Sequence, residues 1–193
     1  MHRRLIRYFV GAIVVAVVLF GTVMVWTFTM VHRHCIKTCG MALRTYAGDH
    51  EGIFPSHPRG FGDAMLLLVR EGYLESVAVL CAPGDDGSLL ERAIAENVDV
   101  AEEQCSRVYV QGLRASGFGG LCVIFDRHPT LGGDHRYGMG PSLREVCLLD
   151  CSMRIVPDDE WPAFCAQQVE WLVQAGFTRQ AALAYYPEAK AHD

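Results

Sequence analysis

The chain has 193 residues, which sets one compact domain with room for a tether as the expectation and excludes a multidomain machine. At 51 % hydrophobic and 20 % charged residues it is too apolar for a disordered chain and too charged for a polytopic membrane protein. The formal net charge is −5, but residues 1–37 hold five Lys/Arg and no acid. Residues 38–193 therefore carry 12 basic against 22 acidic side chains, a net of −10 that argues against a nucleic-acid partner.

Tyr8 to Val31 is a run of 24 residues without a charged side chain. At ~1.5 Å per helical residue it is long enough to cross a ~30 Å hydrocarbon core with tilt. It is too long for the apolar part of a secretory signal and ends in Thr27-Phe28-Thr29-Met30-Val31 rather than at a small-x-small cleavage site, so it reads as an uncleaved anchor. Arg3, Arg4, Arg7 and the amino terminus precede the run; Arg33 and Lys37 follow it. That bias predicts a single-pass membrane protein with a cytoplasmic N-terminus and a periplasmic or extracellular C-terminal domain. Trp26 suits the interfacial belt at the outer end. Within the run, Ala12 and Ala16 form a small-xxx-small step, and Gly21 adds a third small residue on which membrane helices pack closely.

Beyond the run, Cys35, Cys39, Ala42, Leu43 and Tyr46 recur at helical spacing, so the membrane helix is expected to continue over residues 32–48 as one rod of ~65 Å from Leu5 to Ala47. Gly48 and Pro55 supply the stop. A second helix is predicted from Gly62 to Glu71, a loop over Cys81 to Gly87, and a short third helix from Ser88 to Asn97. After Glu103 the pattern changes to β-rich runs at Arg107 to Val110, Leu121 to Phe125, Val146 to Leu149 and Met153 to Val156, the last two joined by Asp150-Cys151-Ser152 as a hairpin. An apolar stripe of Trp161, Phe164, Cys165, Val169 and Leu172 then marks a C-terminal helix, and Thr178 caps a last short one. The predicted fold is α+β: a long N-terminal helix packed on a small antiparallel sheet, with C-terminal helices. The predicted domains are an anchor over 1–31 and a head over 32–193, its sheet at 105–156 and its C-terminal helices at 158–186.

This layout resembles type IV pilin-like proteins and pseudopilins, most closely the bacterial set with a prepilin-type N-terminus and a C-terminal H-x9-DG signature. The residues that carry the resemblance are Cys35 to Tyr46, similar to a cysteine-led helix ending in tyrosine, and Gly52-Ile53-Phe54-Pro55, similar to the G-x-[FY]-P turn. Further along are Gly72-Tyr73-Leu74 with Cys81-Ala82-Pro83, then Tyr109-Val110-Gln111-Gly112-Leu113, then Asp126 through His135 to Asp150. Two departures stand beside them. The apolar run has neither the glutamate nor the Gly-Phe pair of the family's leader-peptidase site. Fourteen residues rather than nine separate His135 from Asp150, with Cys151 in place of the signature glycine. The resemblance implies that Tyr46, Pro55, His135 and Asp150 are structural signature residues and that other pilin-like subunits are partners, with the lipid bilayer holding the anchor.

No motif for chemistry emerges. Cys35/Cys39 and Cys147/Cys151 are C-x3-C pairs, the first directly behind His32 and His34, but zinc sites add a matching ligand pair and the chain has no C-x2-C. The cysteines are expected as disulfides or core thiols, the favoured bridges being Cys81 with Cys35 or Cys39, and Cys122 with Cys147. Ser116 lies in no nucleophile elbow, and Gly117-Phe118-Gly119-Gly120 lacks the spacing and lysine of a phosphate loop, which leaves it as a strand connection. Asp85, Asp86, Asp158, Asp159 and Glu160 match no EF-hand and read as turns and caps. Trp161, Phe164 and Trp171 read as helix core. The expected function is a noncatalytic, pseudopilin-like subunit of a secretion or surface assembly, with no metal, cofactor or small-molecule substrate. The alternative is a monomeric membrane-tethered binding module, followed by an anchored metal or redox protein.

Overall fold

The computed structural model describes residues 11, 13–22, 36–82, 85, 87–131 and 142–192. The chain divides into two units, Met1–Arg33 and His34–Asp193. In the first, residues 13–22 are helical, and Ile13, Val14, Val15, Val17, Val18, Leu19 and Phe20 all expose about half or more of their surface. Ala16 and Gly21 lie on this helix, also exposed, while Ala12 falls outside the described residues. Among the described residues no helix is long and apolar enough to cross a membrane. Much of the expected rod from Leu5 to Ala47 lies outside the described residues; its described parts are the helical residues 13–22 and a 14-residue helix of the second unit.

The second unit, the head, is α+β. Helix α1 (Ile36–Asp49) is followed by α2 (Phe61–Arg70), a 3₁₀ turn at Val77–Leu80, α3 (Ser88–Glu96) and a second 3₁₀ turn at Glu102–Gln104. Strands β1 (Arg107–Tyr109), β2 (Cys122–Asp126), β3 (Thr130–Leu131), β4 (Ser142–Leu148) and β5 (Met153–Pro157) come next, then α4 (Trp161–Gln174), α5 (Arg179–Tyr185) and a 3₁₀ stretch at Pro187–His192. All strand pairs are antiparallel. β4 is central, with β2 and then β3 along one edge and β5 along the other, and β1 lies outside β2.

Register assigns the two faces of the sheet. Phe125 pairs with Val146 and Val108, and its ring lies 5.3 Å from Trp161 and 5.0 Å from Tyr186, so this set faces α4 and the C-terminal 3₁₀ stretch. Ile124, Cys147 and Tyr109 oppose one another on the other face, under α1. There the absent side chain of Gly40 lets α1 approach β4 so closely that a Cβ would collide with Cys147 Sγ. The apolar stripe of α1 is consumed in this contact: Ile36, Cys39, Gly40, Ala42, Leu43, Tyr46 and Ala47 are buried, while Lys37, Thr38, Met41, Arg44 and Thr45 are exposed. At ~1.5–3 kcal/mol for each large apolar side chain removed from water, this packing holds the helix in place more strongly than its intrinsic propensity does.

A buried ion pair ties the α1 face together. Arg107 and Asp126 are both 0 % exposed, with Arg107 Nε donating to Asp126 Oδ1 at 3.1 Å. Arg107 also donates to the Val79 carbonyl, and Asp126 Oδ2 accepts from the Glu145 amide at 3.2 Å. The pair therefore joins three strands and the first 3₁₀ turn, and it is sealed from any solute.

The expected strands are present with shifted bounds, but β4 starts at Ser142 instead of Val146, and β3 has no counterpart in the sequence reading. The charges of Arg144 and Glu145 interrupt the apolar pattern there. In the fold Arg144 lies over the Trp161 ring at 4.6 Å and Glu145 is fully buried, so the strand runs through them.

Candidate functional site

The signature residues separate on inspection. His135 and Cys35 lie outside the described residues. Tyr46 lies near the end of the buried stripe of α1, its ring stacked on His50 at 3.8 Å with Tyr73 edge-on at 5.2 Å. Tyr73 Oη donates to Asp49 Oδ2 at 2.9 Å, and the recess beside this cluster measures about 390 Å³. Pro55 is a support: its carbonyl accepts the buried Tyr109 hydroxyl at 2.7 Å. Asp150 organises the β4–β5 turn, with Oδ1 accepting from Ser152 N at 2.8 Å and Ser152 Oγ at 2.6 Å. These bonds hold its carboxyl below the ordinary range. Cys151, which stands where the signature has glycine, takes the left-handed conformation itself at φ 66°.

The cysteine bridges are corrected. Cys81–Cys39 and Cys122–Cys147 are not bridged, while the Cys81–Cys35 alternative lies outside the described residues; Cys39 donates to Val79 O at 2.9 Å, Cys81 to Val77 O at 3.5 Å, Cys122 to Ile124 O at 3.5 Å and Cys147 to Leu148 O at 3.6 Å. For Cys122 and Cys147 the reason is a register shift between Cys122 and Ile124, the signature of a β-bulge. It sends Cys122 to the α4 face, against Tyr186, and leaves Cys147 on the α1 face against Gly40. Burial pushes the thiols of Cys81 and Cys165 up to about 12 and that of Cys105 to about 11, which leaves them poor nucleophiles and poor metal ligands at neutral pH. Among the described residues no group of three His, Cys, Asp or Glu side chains is placed to hold a metal.

The site that the sequence reading passed over is an open groove of about 520 Å³ between the Gly112–Leu121 loop and the C-terminal end of α4. Its floor is Leu113 and Leu121, both buried; its walls are Phe118, Trp171 and Phe177. Phe118 is 60 % exposed, yet it is held edge-on to Trp171 with ring centroids 5.0 Å apart. The glycines make this possible. A Cβ at Gly117 would meet Leu149 Cδ2 at 2.9 Å, one at Gly119 would meet Asp150 Cβ at 3.3 Å, and one at Gly120 would meet the Phe118 ring at 2.7 Å and Trp171 at 3.4 Å. The loop thus lies flat on the β4–β5 turn, bonded to it through Leu149 N to Leu121 O at 2.7 Å, and lifts one phenylalanine against the tryptophan.

The opposite wall is built by the end of α4. Phe177 N donates to Leu172 O and Gly176 N to Val173 O, both at 3.0 Å, with Gly176 at φ 99°: a Schellman motif that turns Phe177 back into the groove. The polar rim is Arg114, Ser116 and Gln174, all exposed. Among the described residues Arg114 is the only charged one in the lining, and none there is a His, Cys or carboxylate. Comparison of the chain with protein-family models, with curated proteins and with solved structures finds no match.

Proposed function

We propose that this is a membrane-anchored protein of pilin-like layout whose head acts by noncatalytic binding at the Phe118–Trp171 groove. The observation that carries the reading is an exposed aromatic side chain fixed in place by three close-packed glycines, a construction the core does not need and a ligand does. Among the described residues Ser116 is the one hydroxyl of the lining and no base of the lining stands beside it, which favours binding over hydrolysis. Residues 8–31 serve as the anchor on the strength of their uncharged run and basic N-terminal flank, placing the head outside the cytoplasm.

A second reading, a pseudopilin-like subunit of a secretion or surface assembly, is favoured by a separate observation. The apolar side chains from Ile13 to Phe20 are exposed, ready for lipid or for other helices, and α1 lies on an antiparallel sheet, with Tyr46 near the end of the helix and the Pro55 carbonyl accepting from Tyr109. Cysteines placed at Ala16 and Gly21 in native membranes distinguish the two. Crosslinks to other single-span proteins support the subunit, whereas a monomer with no neighbour supports the binding module. An alkaline phosphatase fused after Asp193 is expected to be active; an inactive fusion alongside an active cytoplasmic reporter overturns the anchored, outward-facing reading altogether.

A further inference from the structure

We propose that the Phe118–Trp171 groove takes an acidic saccharide, a pyranose ring bearing a carboxylate, with the ring against the aromatic wall and the carboxylate on Arg114. The inference deepens the binding reading given above and rests on it. Three observations select this chemistry.

The first is size and shape. A volume of about 520 Å³ with an open side suits one or two sugar rings better than the extended surface of a folded partner. The second is the nature of the walls. Trp171 is half-buried and gripped edge-on by Phe118, so its indole is fixed before any ligand arrives. A pyranose offers a flat patch of C–H groups to such a surface and hydroxyls around its perimeter. The rim answers with a guanidinium, an amide and a hydroxyl from Arg114, Gln174 and Ser116, groups that donate and accept in the plane of a stacked ring. A purely hydrocarbon ligand would leave that rim unmatched.

The third is charge. Residues 38–193 carry a net of −10, and that field opposes anions everywhere except where a cation stands without a carboxylate nearby. Among the described residues Arg114 is the one charged side chain in the groove lining, and the carboxylate beside the loop, Asp150 against Gly119, has its Oδ1 engaged by Ser152. The negative end of the α4 dipole, which would count against an anion, is blunted because the Trp171, Leu172 and Val173 carbonyls are already occupied by the Ala175, Phe177 and Gly176 amides. Arginine is also the side chain whose paired N–H groups match a carboxylate.

The test uses the full chain in lipid nanodiscs, because maltoside detergents are themselves sugars. Trigalacturonate and its fully methyl-esterified counterpart, which keeps the rings and removes the charge, are titrated by calorimetry at low and high salt. The expected result is binding of the acid form that weakens with salt, with the ester at least ~threefold weaker, as a partly exposed ion pair implies. Trp171→Ala is expected to lower affinity for the acid by ~tenfold or more, and Phe118→Ala, which removes an exposed ring and leaves the core alone, by a few fold. Arg114→Gln should remove the difference between acid and ester.

Failure of trigalacturonate to bind, equal affinity for the ester, or affinity unchanged in both Trp171→Ala and Phe118→Ala overturns the proposal. The topology and crosslinking experiments do not involve the groove. A failed titration with an outward-facing head therefore sinks the ligand class alone, and a cytoplasmic head sinks the reading beneath it.

Discussion

Gly40 shows how much depends on a single missing side chain. It sits where α1 crosses β4, and Cys147 Sγ occupies the space a Cβ would need. That sulfur can move only by rotating about the Cys147 Cα–Cβ bond, and Cys147 is fully buried, so Gly40→Ala has to turn it into packed core or push the helix off the sheet. The expected cost is ~2 kcal/mol, at the middle of the range for overpacked cores, less the small gain in helix propensity. Cys147→Ala in the same chain should restore most of it, and a double-mutant cycle by chemical denaturation measures the coupling; purely additive losses would mean that the two atoms do not compete. Cysteine geometry was the least legible feature of the sequence. Cys122 and Cys147 belong to neighbouring strands, as the β-rich runs suggest, yet one inserted residue puts them on opposite faces. Nothing in the pattern Leu121 to Phe125 marks that bulge. The glycines of Gly117-Phe118-Gly119-Gly120 were visible but ambiguous, because a phosphate cradle, a strand connection and an aromatic mount all require them.

Among the elements, those whose apolar period is uninterrupted were the readable ones: α1, α2, α3 and α4 lie within a few residues of their predicted positions. β4 was only half visible because Arg144 and Glu145 are both buried, Arg144 over a ring on α4 that is distant in sequence. The groove was invisible for the same reason, since its two walls come from a loop and a helix end about fifty residues apart. The end of α4 nevertheless carries a sequence signal, Gly176, which the left-handed φ of 99° requires. Gly176→Ala should lower stability by ~1 kcal/mol through that strain. It should also weaken any groove ligand beyond what the stability loss explains, because Phe177 is positioned by the same turn. Thermal unfolding and a ligand titration on one preparation separate the two effects. Unchanged affinity would show that Phe177 is a bystander.

For the molecule as a whole, the division at Arg33/His34 and the inward-turned stripe of α1 predict that residues 34–193 fold without the rest. The fragment is expected to unfold in one cooperative transition and to sediment as a monomer, since the second face of the sheet is already covered by α4 and the C-terminal 3₁₀ stretch. Aggregation of a well-folded fragment would show instead that the head needs a neighbour. The same closure also constrains how the protein is made. Arg44 Nη1 on α1 donates to the carbonyl of Leu149, 105 positions later, and the ring of Phe125 stacks on Tyr186 close to the C-terminus. A ribosome delivers α1 early and Tyr186 almost last. Until β2 and β4 are made, α1 has its apolar side without the strands that receive it. Any stop codon ahead of β4 therefore releases not a smaller head but an amphipathic helix with nothing to fold against.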